Sequence, residues 1–214
     1  MHDISVPFDA GTPEWPGDTP FSCGWSWEIA GGAAVNVGRI VTSPHVGTHA
    51  DAPLHVRATG AGASHLPLAP FLGPARVVDV SSVQGVITLV HLQRAGYNSE
   101  TKRLLLHTGR SVAAGAFPTA WPTLDPQAAR ILTRAGLVLL GVDAPSVDER
   151  ESKTLAVHHA LFDGGAYILE NLDLRGIAPG DWDLLALPMP VGAIDAAPVR
   201  ALLRPSGSGV PHVG

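Results

Sequence analysis

The sequence predicts a mixed α/β fold: a mixed sheet or flattened barrel with a few helices packed outside it. Three observations lead there. Five short apolar runs, each bounded by Gly, Pro, Asp or Asn, read as buried strands. Only three segments combine helical spacing with start and stop signals, too few for a regular doubly wound sheet. The 24 glycines and 19 prolines, about a fifth of the 214 residues, call for short elements joined by many turns.

In chain order, residues 35–42 look extended, and the buried strands are expected at 75–80, 103–107, 137–142, 167–170 and 184–187. The first helix is expected over 87–95, closed by Gly96. The second runs to Arg134: Asp125 can cap it, Pro126 suits the first turn, and Gly136 can end it. The third covers 154–162, closed by Gly164 and Gly165. Residues 1–204 read as a single domain and 205–214, poor in core formers, as a loose tail.

Composition excludes several function classes. A formal net charge of −5, a pI near 6.0 and scattered Lys and Arg leave no basic stripe for nucleic acid. The one cysteine, Cys23, cannot form an internal disulfide, which fits a reducing compartment. The start of the chain has neither a basic nor an apolar leader region. No apolar run approaches the roughly 18 residues of a membrane span. A cytoplasmic protein that binds neither nucleic acid nor membrane is expected.

The most informative stretch holds His45, His49, Asp51 and His55 within eleven residues, with Gly47 and Pro53 between them. Pro44, Gly47 and Pro53 argue against a regular helix. In an extended chain the four groups share one parity and face one side. Imidazole nitrogens and a carboxylate are what Zn²⁺ or Mn²⁺ selects, and Lys or Glu, which would mark a solvated face, are missing from the segment. Far along the chain, His158 and His159 lie on the third helix, and Glu170 ends an otherwise apolar strand, where a carboxylate is costly unless paired or ligated. No Gly-x-Ser-x-Gly elbow is present, and Cys23 has no base near it in sequence, which disfavours a serine or cysteine hydrolase.

These residues carry a resemblance. The complete His-x-Gly-Thr-His-x-Asp-x-Pro-x-His pattern from His45 to His55 resembles that of the bacterial kynurenine formamidases (arylformamidases) of the metal-dependent cyclase superfamily. Trp15-Pro-Gly-Asp-Thr-Pro, Gly141-Val-Asp-Ala-Pro-Ser-Val-Asp, Ser152-Lys-Thr-Leu and Asp195-Ala-Ala-Pro-Val-Arg200 add to it, so that it covers the chain to about Arg204. The resemblance implies a swivelling β/β/α fold, a homodimer and two metal ions, Zn²⁺ or Mn²⁺. It implies that His45, His49 and Asp51 hold one ion and that Asp51, Glu170 and His158 hold the second. His158, twelve residues before Glu170, is preferred to His159. His55 would be the catalytic acid/base, and Trp15 would line the pocket of a small aromatic formamide, N-formyl-L-kynurenine. Two rivals are a cyclic-amide hydrolase similar to isatin hydrolase and a metal-binding protein without catalysis.

Overall fold

Leu104, Leu105 and Leu106 are consecutive and all fully buried, so the strand that holds them is covered on both faces. The computed structural model that shows this describes residues 1–207. Its strands are β1 (His2–Asp3), β2 (Ser22–Trp27), β3 (Val37–Val41), β4 (His49–Asp51), β5 (Leu72–Asp79), β6 (Val86–Ile87), β7 (Arg103–His107), β8 (Thr123–Leu124), β9 (Leu139–Val142), β10 (Tyr167–Glu170), β11 (Gly180–Leu185), β12 (Ala196–Pro198) and β13 (Leu202–Pro205). The α-helices are α1 (Leu89–Arg94), α2 (Pro126–Arg134) and α3 (Ala156–Asp163).

Nine strands form one sheet in the order β1-β13-β11-β5-β7-β9-β10-β4-β12. The central run β5-β7-β9-β10 is parallel, and the pairings on either side of it are antiparallel. Parallel strands added in one direction with right-handed crossovers put their connecting helices on one face. Accordingly Leu92 of α1, Leu132 of α2 and Leu161 of α3 pack on Leu104, Leu106, Leu140 and Ile168. Among the described residues no α-helix covers the opposite face. There Leu105, Leu139 and Leu169 pack against Phe71, Leu184 and Leu203, so the sheet curls round and its antiparallel flank covers its centre. Each such fully buried Leu contributes roughly 1.5–3 kcal/mol relative to exposure.

The mixed sheet with few outer helices is the expected class, and 103–107 and 167–170 match their strands residue for residue. The second helix also ends as expected. Asp125 Oδ1 accepts from Gln127 N at 3.0 Å, and Gly136, at φ +92°, lets Leu137 N reach Leu132 O at 3.0 Å. Other boundaries moved. Ile87 belongs to β6 and Thr88 caps α1, so that helix starts two residues later than expected. The strand expected at 184–187 is β11, which begins at Gly180; Asp181 and Asp183 hid its start. Pro205 closes β13 by pairing with Trp182, so it is not tail, and 208–214 lie outside the described residues. Among the described residues no helix is long and apolar enough to cross a membrane.

Candidate metal centre

The 45–55 segment is not extended throughout, as its parity argument required. Only His49–Asp51 is strand; the chain turns before it and forms a 3-10 helix at Pro53–His55 after it. Parity therefore places only His49 and Asp51. β4 pairs antiparallel with β10, with His49 opposite Glu170. Alternation puts His49, Asp51 and Glu170 on the helix-covered face, while Ala50 and Leu169 face the other core. Above that face α3 supplies His158.

The turn that brings in His45 depends on two residues. Gly47 sits at φ +69°, and a Cβ there would lie 2.8 Å from Pro7 O, so only glycine fits without strain. Thr48 is buried. Its hydroxyl accepts from Val6 N at 2.7 Å and donates to Asn171 O at 2.5 Å, tying the turn to the residue after Glu170. Asn171 and Leu155 are the only non-glycine residues with positive φ among those described, and both line the cavity beside the site.

Hydrogen bonds fix the lone pairs. His45 Nε2 faces Asp195 Oδ2 at 2.9 Å and His49 Nδ1 faces Gly47 O at 3.0 Å. Both partners are acceptors, so each of these ring nitrogens carries the proton. The other nitrogens, His45 Nδ1 and His49 Nε2, stand 3.1 Å apart, and each is 3.4 Å from Asp51 Oδ1. That oxygen is fully buried and makes no hydrogen bond. On the other side of the same carboxylate, His158 Nε2 lies 3.3 Å from Asp51 Oδ2 and 3.5 Å from Glu170 Oε1. His158 Nδ1 donates to Asp148 Oδ2 at 2.7 Å, so Nε2 is its free lone pair.

Converging lone pairs in a buried place repel unless a positive charge lies among them. In the metal-free chain protons supply it. Burial works against the charged ring in every case, and the carboxylates outweigh it. Asp195 and Asp51 hold His45 at about 9, Asp51 and Glu170 hold His49 at about 10, and Asp148 and Asp51 hold His158 at about 10. Burial likewise acts to raise Asp51, yet the three imidazoles keep it well below the carboxylate range. A metal ion fits the same space. Four ligand atoms round a zinc ion at 2.0–2.1 Å lie about 3.3 Å from one another. The distances above, 3.1 to 3.6 Å including His49 Nε2 to Glu170 Oε2, are of that size. The donor set, imidazole plus carboxylate, suits zinc or manganese.

The site opens into a cavity of about 390 Å³, within the size range of small-molecule pockets. Trp15 and Phe117 line it, with ring centroids 5.4 Å apart and edge to face, and Trp121 backs them at 5.8 Å from Trp15. His55 also lines the cavity, and its Nδ1 lies 3.1 Å from Asp195 Oδ2. The structure thus brings His45, His49, Asp51, His55, His158, Glu170 and Trp15 to one place. His158 Nε2 faces Asp51 and Glu170, whereas among the described contacts none joins His159 to the cluster.

Comparison with known proteins gives the family and the fold. The family described as "Putative cyclase" matches residues 2–149. The kynurenine formamidase of Bacillus thuringiensis (strain Al Hakam) is 42% identical over 207 residues, covering 95% of this chain and 96% of its own length. This chain belongs to the cyclase family, alongside the bacterial kynurenine formamidases. A solved structure described as "The Structure Of Potential Metal-Dependent Hydrolase With Cyclase Activity" superposes with a TM-score of 0.80 at 28% identity, covering 94% of this chain and 96% of that one. Isatin hydrolase A from Labrenzia aggregata shares the fold, with a TM-score of 0.79 at 22% identity and coverage of 94% and 92%.

Sequence reasoning missed Asp148, Asp195, Phe117 and Trp121. Asp148 and Asp195 each stand in a stretch that carries the family resemblance, yet neither has a spacing that links it to its histidine. His55 and Asp195 are 140 residues apart in sequence.

Proposed function

We propose that this chain is a metal-dependent amide hydrolase that converts N-formyl-L-kynurenine to L-kynurenine and formate. The observation that carries the reading is Asp51. A buried carboxylate with one unbonded oxygen has lone pairs of His45 and His49 on one side and of His158 on the other, beside an aromatic-walled cavity.

His45, His49 and Asp51 would hold one Zn²⁺ or Mn²⁺ ion, and Asp51, Glu170 and His158 a second. When bound, the metal supplies Lewis acidity and lowers the pKa of a bound water towards about 7. The remaining work belongs to the chain. Trp15 and Phe117 form a wall against which an aryl ring stacks. Amide hydrolysis leaves a poor amine, which needs a proton on its nitrogen as the C–N bond breaks. His55 lines the cavity and, with Nδ1 on Asp195, can take up on Nε2 the proton that the attacking water gives up and pass it to the leaving nitrogen. Asp148 fixes His158, and its carboxylate also accepts from Val157 N and His158 N, each at 3.0 Å, capping α3.

A homodimer in the cytoplasm is part of the reading. β2 and β3 form a separate two-stranded sheet on which Trp25, Trp27 and Ile40 are exposed, and such a ribbon is marginal without cover. Light scattering on the purified chain tests the dimer.

The function is tested by metal analysis coupled to turnover of N-formylkynurenine before and after chelation, with isatin assayed in parallel. Loss on chelation and return on adding Zn²⁺ or Mn²⁺ is expected. Bound metal with no hydrolysis of any formanilide would support the non-catalytic rival, and faster turnover of isatin would move the substrate to a cyclic amide.

A further inference from the structure

Asp195 touches two imidazoles with one oxygen. Its Oδ2 is 2.9 Å from His45 Nε2 and 3.1 Å from His55 Nδ1, and the two rings lie 4.5 Å apart, centroid to centroid. A carboxylate oxygen has lone pairs enough to accept from both. We propose that Asp195 is a positioning residue that sets the tautomers of a metal-ligating histidine and of the proton-transferring histidine at once, and so ties metal binding to proton transfer. The inference rests on the site reading given above.

The argument follows the protons. Asp195 has no proton to give, so His45 Nε2 and His55 Nδ1 both carry theirs. His45 must then present Nδ1 to the cluster, and that nitrogen is the one 3.1 Å from His49 Nε2 and 3.4 Å from Asp51 Oδ1. His55 must keep Nε2 as its free nitrogen in the cavity wall. Without the carboxylate, neither ring has another hydrogen-bond partner for the nitrogen now facing Asp195 among the described contacts. Each could then turn over or exchange tautomers, which takes the Nδ1 lone pair from one site and the Nε2 lone pair from the other.

The backbone makes the placement exact enough for this role. Asp195 precedes β12, whose Ala196 pairs with Asp51, and Asp195 O accepts from Ala52 N at 2.8 Å. Asp195 is thus held by main-chain bonds to the strand that holds Asp51. Its side chain is 40% exposed, so it can be replaced without opening a core cavity. Asp148 does the corresponding task for His158 alone, in a buried setting.

The test uses the full chain with Asp195→Ala and Asp195→Leu, the second filling a similar volume without an acceptor. Zn²⁺ and Mn²⁺ affinity is measured by competition with a chromogenic chelator. Histidine ring tautomers are read by ¹H–¹⁵N NMR of the zinc-loaded protein, and kcat and KM are measured on N-formylkynurenine. Metal affinity should fall about 10–100-fold, as for loss of other groups that orient ligands. The ring signals of His45 and His55 should change while those of His49 and His158 stay. In fully loaded protein kcat should fall at least about tenfold with KM nearly unchanged, the mark of a group acting in the transition state. Wild-type affinity, tautomers and kcat in either variant overturn the proposal. So does a lower melting temperature with loaded protein turning over at the wild-type rate, since that is a structural role only. If the wild type does not hydrolyse N-formylkynurenine, the substrate reading fails, and the affinity and tautomer comparisons still decide Asp195.

Discussion

The two halves of the candidate centre are built from the same parts but differ in burial. On one side His158, Asp148 and Glu170 have side chains 2%, 7% and 5% exposed. On the other, His45, His55 and Asp195 are 17%, 28% and 40% exposed. Each half pairs a carboxylate with an imidazole and each reaches the cavity, yet only in the second does a lining histidine, His55, have a single hydrogen-bond partner for its ring among the described contacts. The difference teaches a division of labour. The buried half can hold charge at fixed positions, because the low dielectric there strengthens every bond and water cannot compete. The open half can exchange a proton with something that enters, because one ring is left half-satisfied.

The sharpest way to break this division is to remove one buried imidazole and, separately, the half-satisfied one at the cavity. His49→Ala should abolish metal binding at the first position, measured by metal analysis. His55→Ala should keep the metal and lose about 10²–10⁴-fold in kcat. Equal metal content and equal activity in the two variants would remove the distinction. Next in size is Asp148→Ala. It removes a charged contact to His158 and to the first turn of α3, so metal affinity should fall about 10–100-fold. Thermal stability should fall by about 1–2 kcal/mol as a helix-capping loss, read by calorimetry. Asp195 variants should leave stability nearly unchanged, which separates the two carboxylates.

A pH titration sharpens the comparison further. In the metal-free chain His45, at about 9, and His49 and His158, at about 10, are raised above their unfolded value. Their contribution to stability is complete below about pH 6.5 and is lost as pH rises through 9 to 10. The metal-loaded chain should show the reverse trend. Ligation needs deprotonated rings, so affinity falls as pH falls and binding releases protons. Calorimetric titrations in buffers of different ionisation enthalpy count those protons; none released would sink the assignment of these rings as ligands. The smallest effect is expected at the cavity wall. Trp15→Ala removes a stacking face, which corresponds to about 0.5–1.5 kcal/mol of binding and so a several-fold rise in KM with the metal retained.

Legibility in the sequence followed the range of the interactions. Leu104 to Leu106 and Tyr167 to Glu170 read correctly as strands because a short continuous apolar run bounded by turn residues is a signal between neighbours. α2 read correctly because Asp125, Pro126 and Gly136 act within one turn of its ends. β12 and β13 did not, because a three-residue Ala-Ala-Pro strand and a four-residue Leu-Leu-Arg-Pro strand are stable only through their partners. In the site, His49 and Asp51 were placed by the period of a strand, while His45 and His55 reached it by a glycine turn and a 3-10 turn that parity does not describe.

By itself the sequence determined the metal-competent residue types, the mixed α/β class and the family, because each is written in local spacing and in a motif of fixed length. Only the tertiary structure decided which nitrogen of each imidazole is free, since that depends on an acceptor supplied from elsewhere: Asp195 for His45 and His55, and Asp148 for His158. A ring has two nitrogens of nearly equal basicity, and the choice between them is made by a hydrogen bond that closes only when distant strands meet.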